Sequence, residues 1–306
     1  MLFKIILSYA LVYVVWGSTY YFIKLAVTTI PPMYVVGFRF LLGGVGLIAY
    51  TVVANAKSGK NITPSKIQVL FSAVVGILLL VGGNGMVTLG EKKIDSYIAA
   101  LIISTVPIVV LILDRILLGK RLLPFSVFGA AIGVTGTWLL LNNGNKLTSN
   151  TNVYLILLFV AVISWAFGTT LSKKVPLPND VILNTGIQSL VAGLGSIVFW
   201  NFFQPLSTLS LKAISVESWF SLAYLTVIGS VAFCAYSFLL KHEPNHRVVT
   251  YSLVNPVIAV VIGLFIGKEE KVPHLIPSCV LILTGLFFLF YGERVWNSFR
   301  RKSSHS

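Results

Sequence analysis

The chain has 306 residues, of which 56% are hydrophobic and only 10% charged, and its mean hydropathy is +0.90. A soluble domain carries about 25% charged residues, so this composition excludes a water-facing globule and points to a bilayer as solvent. The net charge of +14 does not indicate a nucleic-acid partner, because the basic residues flank apolar runs and form no stripe interleaved with exposed aromatics.

Taken in order, the apolar runs are 5–26, 32–54, 68–88, 96–117, 124–142, 153–172, 181–203, 218–239, 247–266 and 273–291. Each is near the ~20 residues that cross a hydrocarbon core of about 30 Å. In lipid the backbone must bond to itself, so runs of this length are helices. They lack the ~10-residue alternation of an outer-membrane barrel. The first run continues past Trp16 to Ala26 with no small-residue cleavage site after it, and it is read as a retained span rather than a leader. Placing the N-terminus inside puts 15 of the 23 Lys and Arg in inner loops and termini, which predicts both termini on the cytoplasmic side.

The chain repeats itself. Trp16 and Trp165 stand 149 residues apart, as do Lys24 and Lys173, Pro107 and Pro256, and Gly136 and Gly285. A constant offset predicts two homologous halves, 1–149 and 150–306, the second ending in a basic tail. Five spans is an odd number, so the second half enters the membrane the other way round. The expected fold is therefore all-α, with ten transmembrane helices as two inverted five-helix repeats. Inverted repeats accompany alternating-access carriers that bind substrate between the halves.

Several strings resemble a known family. They are Trp16-Gly17-Ser18-Thr19-Tyr20 with Lys24, Pro31-Pro32 followed by Phe38-Arg39-Phe40, Gly83-Asn84-Gly85-Met86-Val87-Thr88, Ser164-Trp165-Ala166-Phe167-Gly168, and Tyr251-Ser252-Leu253-Val254-Asn255-Pro256-Val257. In this order they resemble the drug/metabolite transporter superfamily, and within it the EamA-type ten-helix permeases. The resemblance implies a central cavity and export of amino acids or related metabolites; other branches carry nucleotide sugars or drugs. One departure concerns the Gly-Glu pair that such permeases often carry at the ends of the fourth and ninth spans. Here Gly119-Lys120 has no acid and the ninth span gives Gly267-Lys268-Glu269, so no role can be built on an acid at the end of the fourth.

Candidate substrate-binding residues are Trp16, Tyr20, Arg39, Asn84, Trp165, Gln188, Tyr236 and Asn255. Arg39 leads, because an ionisable group at membrane depth costs at least about 2.5 kcal/mol and needs a reason. A guanidinium suits a carboxylate or phosphate; the alternative is that it bonds carbonyls and fixes packing. Gln188 is its repeat partner. The aromatics offer apolar area with a polar edge, or plain core packing. Asn84 lies in a glycine-rich break and Asn255 precedes a proline that frees a carbonyl. Thr105, Thr169 and Ser230 are weaker candidates. Lys24 and Lys173 read as snorkelling anchors, and Asp114, next to Arg115, as a local ion pair or interface position; the alternative is a proton-coupling carboxylate, and no other Asp or Glu lies within a predicted span. Glu91 falls in a loop, 91–95.

No catalytic residue, metal site or cofactor is expected. The two cysteines, Cys234 and Cys279, lie in apolar runs, no histidine is central to one, and no phosphate loop is present. A membrane enzyme would need clustered carboxylates or histidines at depth. The remaining rival is a non-transporting helical scaffold. The expected partners are a small-molecule substrate and membrane lipids, without nucleic acid. Gly129-x-x-x-Gly133 and Gly263-x-x-x-Gly267 are spaced for close helix packing, within one subunit or across a homodimer seam.

Overall fold

The computed structural model describes residues 1–58, 63–94, 96–122, 124–141, 152–265 and 274–303. Among these residues the chain is helical throughout, as ten successive helices. They are α1 (Leu2–Ala26), α2 (Pro32–Ser58), α3 (Lys66–Gly90), α4 (Ser96–Ile103 and Val106–Leu118), α5 (Pro124–Leu141), α6 (Asn152–Leu171), α7 (Val181–Asn201), α8 (Val216–His242), α9 (Tyr251–Phe265) and α10 (Leu275–Ser303). Six of them (α1, α2, α3, α6, α7 and α8) are long and apolar enough to cross a bilayer, and Pro124–Leu139 and Ile276–Gly292 are shorter apolar helices. The expected division at 149/150 and Gly267 lie outside the described residues.

Two spans depart from uniform helices. The predicted fourth span, 96–117, is broken at Ser104 and Thr105, just before Pro107, where Thr105 Oγ1 donates to the Ile102 carbonyl at 2.6 Å. The predicted ninth span, 247–266, divides at Val249 and Thr250 between a short helix, Asn245–Val248, and α9. Pro256 itself sits inside α9 without interrupting it. The repeated prolines thus mark corresponding helices whose breaks fall at different places. In α3 the glycine-rich stretch takes wide π-helical turns over Ile77–Gly85, a form that recurs at functional sites.

The helix pairing has the symmetry of the repeat. The offset pairs α1 with α6, α2 with α7, α3 with α8, α4 with α9 and α5 with α10. The two most extensive contacts join such equivalents, α5 to α10 and α2 to α7. The next contacts exchange into one another: α1 on α8 with α6 on α3, α1 on α9 with α6 on α4, and α2 on α8 with α7 on α3. Each half therefore packs mainly against the other.

Glycines set the two self-equivalent crossings. On α2 and α7, a Cβ at Gly193 would lie 2.2 Å from the Leu41 nitrogen and one at Gly44 2.5 Å from the Leu190 nitrogen. Gly37 meets the Gly193 carbonyl and Gly44 the Gly186 carbonyl, two contacts that the offset interchanges. On α5 and α10, a Cβ at Gly285 would lie 2.6 Å from the Gly129 carbonyl and 2.7 Å from Gly133. The Gly129/Gly133 pair therefore works within this chain.

The end holding the N-terminus of α1 and the loops after α4, α6 and α8 is called the basic end, and its opposite the far end. At the far end Ser218 Oγ donates to the Leu25 carbonyl at 2.9 Å and Thr29 Oγ1 donates to Ser218 at 2.8 Å, joining α1 to α8. Tyr34 donates to the Gln204 carbonyl. At the basic end Asp114 accepts from Asn245 at 2.7 Å, Thr170 at 3.1 Å and Lys120 at 3.0 Å, tying α4 to α6 and to the approach to α9. The partner of Asp114 is thus Lys120, folded back past Gly119 (φ 65°), rather than Arg115. Lys173 donates to the carbonyls of Leu240 and Glu243, capping the end of α8 rather than only snorkelling. Tyr13 and Thr250 share a hydrogen bond of 2.6 Å.

Candidate functional site: a central cavity with a buried guanidinium

Between the halves lies a small, partly open cavity of about 70 Å³. It is walled by α1, α2, α3, α4, α6, α8 and α9. The walls are mostly apolar, with a few convergent polar groups.

Six of the eight predicted residues line it: Trp16, Tyr20, Arg39, Asn84, Trp165 and Asn255. Arg39 comes in from α2 and is 5% exposed. One guanidinium nitrogen, Nη2, donates to Asn84 Oδ1 at 2.5 Å, and the guanidinium carbon lies 4.3 Å from the centre of the Phe40 ring. Nε and Nη1 have no hydrogen-bond partner. A buried charge bonded through one of three nitrogens is held ready rather than satisfied. Asn84 is aimed by α3, where Thr88 Oγ1 donates to its backbone carbonyl at 2.9 Å.

The aromatic residues close the cavity toward the basic end. Trp16 and Trp165, repeat equivalents, meet edge-on at 5.3 Å where the halves exchange. Tyr251 stands edge-on to Trp16 at 4.7 Å. Tyr236 lies behind this wall rather than in it, fully buried, with its ring 4.9 Å from Trp16. Its hydroxyl accepts from Trp165 Nε1 at 3.2 Å and shares a 2.6 Å bond with Thr169. Trp165 can rest on α3 because residue 83 is glycine; a Cβ there would lie 2.5 Å from the indole.

Gln188 is elsewhere. It is buried on α7 and lines a second pocket at the basic end with Lys173, Asn184 and Ser237. The repeat relation explains this: with an axis in the membrane plane, the equivalent of a residue in the far half lies in the basic half. Thr169 packs behind the aromatic wall, and Ser230 donates to the Thr226 carbonyl at 2.5 Å in its own helix. Neither they nor Thr105 line the cavity.

Thr19, Phe40, Phe233 and Tyr251 also line it; the first two and Tyr251 stood in the family strings without a binding role, and Phe233 was not named. Glu91 stands, as expected, in the turn after α3 and does not line the cavity, but it is 4% exposed and neither carboxylate oxygen has a hydrogen-bond partner.

Two oppositely inserted helix bundles packed crosswise around a cavity that holds a buried cation make the architecture of a membrane carrier. Residues 3–142 and 152–291 each match the EamA-like transporter family. The Escherichia coli (strain K12) protein named "Uncharacterized inner membrane transporter YedA" is 34% identical over 260 residues, covering 84% of this chain and 81% of that protein. "Protein PagO" of Salmonella typhimurium is 27% identical, covering 95% of this chain and 94% of that one. A "Probable amino-acid metabolite efflux pump" of Escherichia coli (strain K12) is 25% identical, covering 93% and 94%. A crystal structure at 19% identity superposes with a TM-score of 0.73, covering 93% of this chain and 95% of the other, and shares the fold. The chain belongs to the EamA-like transporter family. It is thus a multi-pass membrane transporter and not an enzyme.

Proposed function

We propose that the protein exports small organic metabolites bearing a carboxylate, amino acids and their relatives foremost, by alternating access through the central cavity. The observation that carries this is Arg39, buried in the cavity wall with two guanidinium nitrogens unbonded beside an aromatic surface. An anion or carboxylate is what such a fork binds, and Trp16, Tyr20, Trp165 and Tyr251 supply apolar area for the rest of a small amphipathic molecule. The relative named as an amino-acid metabolite efflux pump supports the same substrate class. The proposed binding set comprises Trp16, Tyr20, Arg39, Asn84, Trp165 and Asn255, with Tyr236 positioning Trp165. Gln188 would meet solute only at the basic-end pocket.

The bacterial cytoplasmic membrane is the proposed site, with both termini in the cytoplasm, on the strength of the basic residues at that end and the relative named as an inner membrane transporter. The halves 1–149 and 150–306 are the proposed repeat units. The test is flux of labelled amino acids in proteoliposomes. A carrier saturates and shows counterflow; flux equal to that of empty liposomes across the panel would contradict the proposal.

A further inference from the structure

The pocket at the basic end encloses about 210 Å³, more than the central cavity, and lies directly beneath it. The same helical faces line both. On α6, Trp165 lines the central cavity, Thr169 follows one turn later, and Ser172 and Lys173 line the pocket one turn beyond that. On α8, Phe233 lines the cavity and Ser237 and Leu240 the pocket, with Tyr236 between them. The layer that separates the two spaces is therefore Trp165, Tyr236 and Thr169, joined through the Tyr236 hydroxyl and all buried.

The polar groups of the pocket are unevenly matched. Gln188 is 2% exposed, and its Nε2 donates to Asn184 Oδ1 at 3.4 Å, which turns Oε1 away from that bond. Oε1 has no hydrogen-bond partner. A buried acceptor left unpaired is costly until a donor reaches it. Lys173 donates to the carbonyls of Leu240 and Glu243, which uses two of its three N–H groups, and Lys241 donates to the Asn179 carbonyl at 2.7 Å. Carbonyls orient these two cations without neutralising them. Among the described residues no carboxylate lines the pocket. The nearby acids are engaged elsewhere: Asp180 caps α7 through the Leu183 N–H, Glu243 pairs with Arg247, and Asp114 with Lys120. The pocket thus offers positive charge and one neutral acceptor. That combination suits an anion that carries a hydrogen-bond donor close by, and it repels an amine that has no anion attached.

We propose that this pocket is a loading site for the transported solute, Lys173 taking its carboxylate and Gln188 Oε1 its ammonium before it passes the Trp165–Tyr236–Thr169 layer, an assignment that rests on the carrier reading above. The headgroup of phosphatidylethanolamine joins an anion to an ammonium in the same way, and the test separates it from a free solute.

The test uses the full chain in detergent, with Cys234 and Cys279 replaced and a single cysteine at Asn179, an exposed lining residue whose carbonyl, not its side chain, holds Lys241. The readout is protection of that cysteine from a thiol reagent by an α-amino acid, its deaminated acid, its decarboxylated amine and glycerophosphoethanolamine. The amino acid should protect equally in the parent and in Arg39→Ala, because the site lies outside the central cavity. The deaminated acid should protect more weakly and the amine not at all. Gln188→Leu should raise the half-protecting concentration of the amino acid roughly tenfold, level with that of the deaminated acid. Lys173→Met should abolish protection and Lys173→Arg retain it; since Lys173 also caps α8, Gln188→Leu carries the test where the Met variant does not fold. Protection that vanishes in Arg39→Ala would overturn the proposal, as would an amine that protects as well as the amino acid. Protection by glycerophosphoethanolamine in place of the amino acid would overturn it too, assigning the pocket to a lipid headgroup. Any of these results alongside saturable flux in proteoliposomes leaves the carrier reading standing. Protection by the amino acid in a chain that shows no flux removes the carrier reading and leaves the site.

Discussion

Arg39 is bound through one nitrogen, to Asn84, and open through two. Replacing it with alanine removes the charge and leaves Asn84 Oδ1 to solvent or water in the cavity. Hydrogen bonds to charged groups are worth about 1.5–3 kcal/mol, so the Arg39→Ala transporter should lose roughly tenfold to hundredfold in transport efficiency. Its abundance in the membrane should be unchanged; a parallel fall in abundance, measured by immunoblot, would assign Arg39 to packing instead. Trp165→Phe keeps a ring against Trp16 but loses the bond to Tyr236 Oη. It should change the rank order in which amino acids compete for transport, and an unaltered ranking would remove Trp165 from the site. Arg39 was legible in the sequence because a charge inside an apolar run stands out. Glu91 was not, because it opens the charged stretch 91–95 and hydropathy cannot separate a buried first residue from a solvated loop. Tyr251 stood inside the ninth apolar run and in a family string, but run length does not say which face of a span meets a cavity.

Helices α2 and α7 cross at glycines with no room for a methyl group. Gly193→Ala would drive a Cβ to within 2.2 Å of the Leu41 backbone. Overpacking of this kind costs about 1–3 kcal/mol, so the variant should show a lowered melting temperature in detergent. Gly195→Ala, two residues along α7 with nothing within 4 Å, should match wild type. Equal stability of the two variants would refute the crossing. The polar tie at Asp114 joins α4, α6 and Asn245 at the basic end, and its repeat equivalents (Gly263, Tyr21 and Ser96) do not offer the same set of groups. Asp114→Ala should loosen the basic end, raising the labelling of a cysteine placed at Ser237; labelling equal to the parent would show that the tie does not hold that end closed. Helix existence and order were readable from apolar run length. The breaks in α4 and before α9 were not, because both follow from local turns and tertiary partners that proline positions alone do not specify.

At the scale of the whole molecule, the 149-residue offset carries through from sequence to helix pairing. The offset predicted which helices correspond, but not that the halves interleave so thoroughly, since pairing across halves leaves no periodic trace in either one. It also suggested that Gln188 joins Arg39 in one site. An in-plane axis places it at the opposite end, in a separate pocket, and we propose that the two pockets are two mouths of one pathway. Alternating access follows if those mouths open in turn. With Cys234 and Cys279 replaced, single cysteines at Gly229, which lines the cavity and has open space beside it, and at Ser237, in the basic-end pocket, report on each mouth. The decisive measurement is their reactivity toward a membrane-impermeant thiol reagent, with and without substrate. The two-mouth account predicts that substrate moves the two rates in opposite directions. Rates that rise together, fall together or ignore substrate would contradict it.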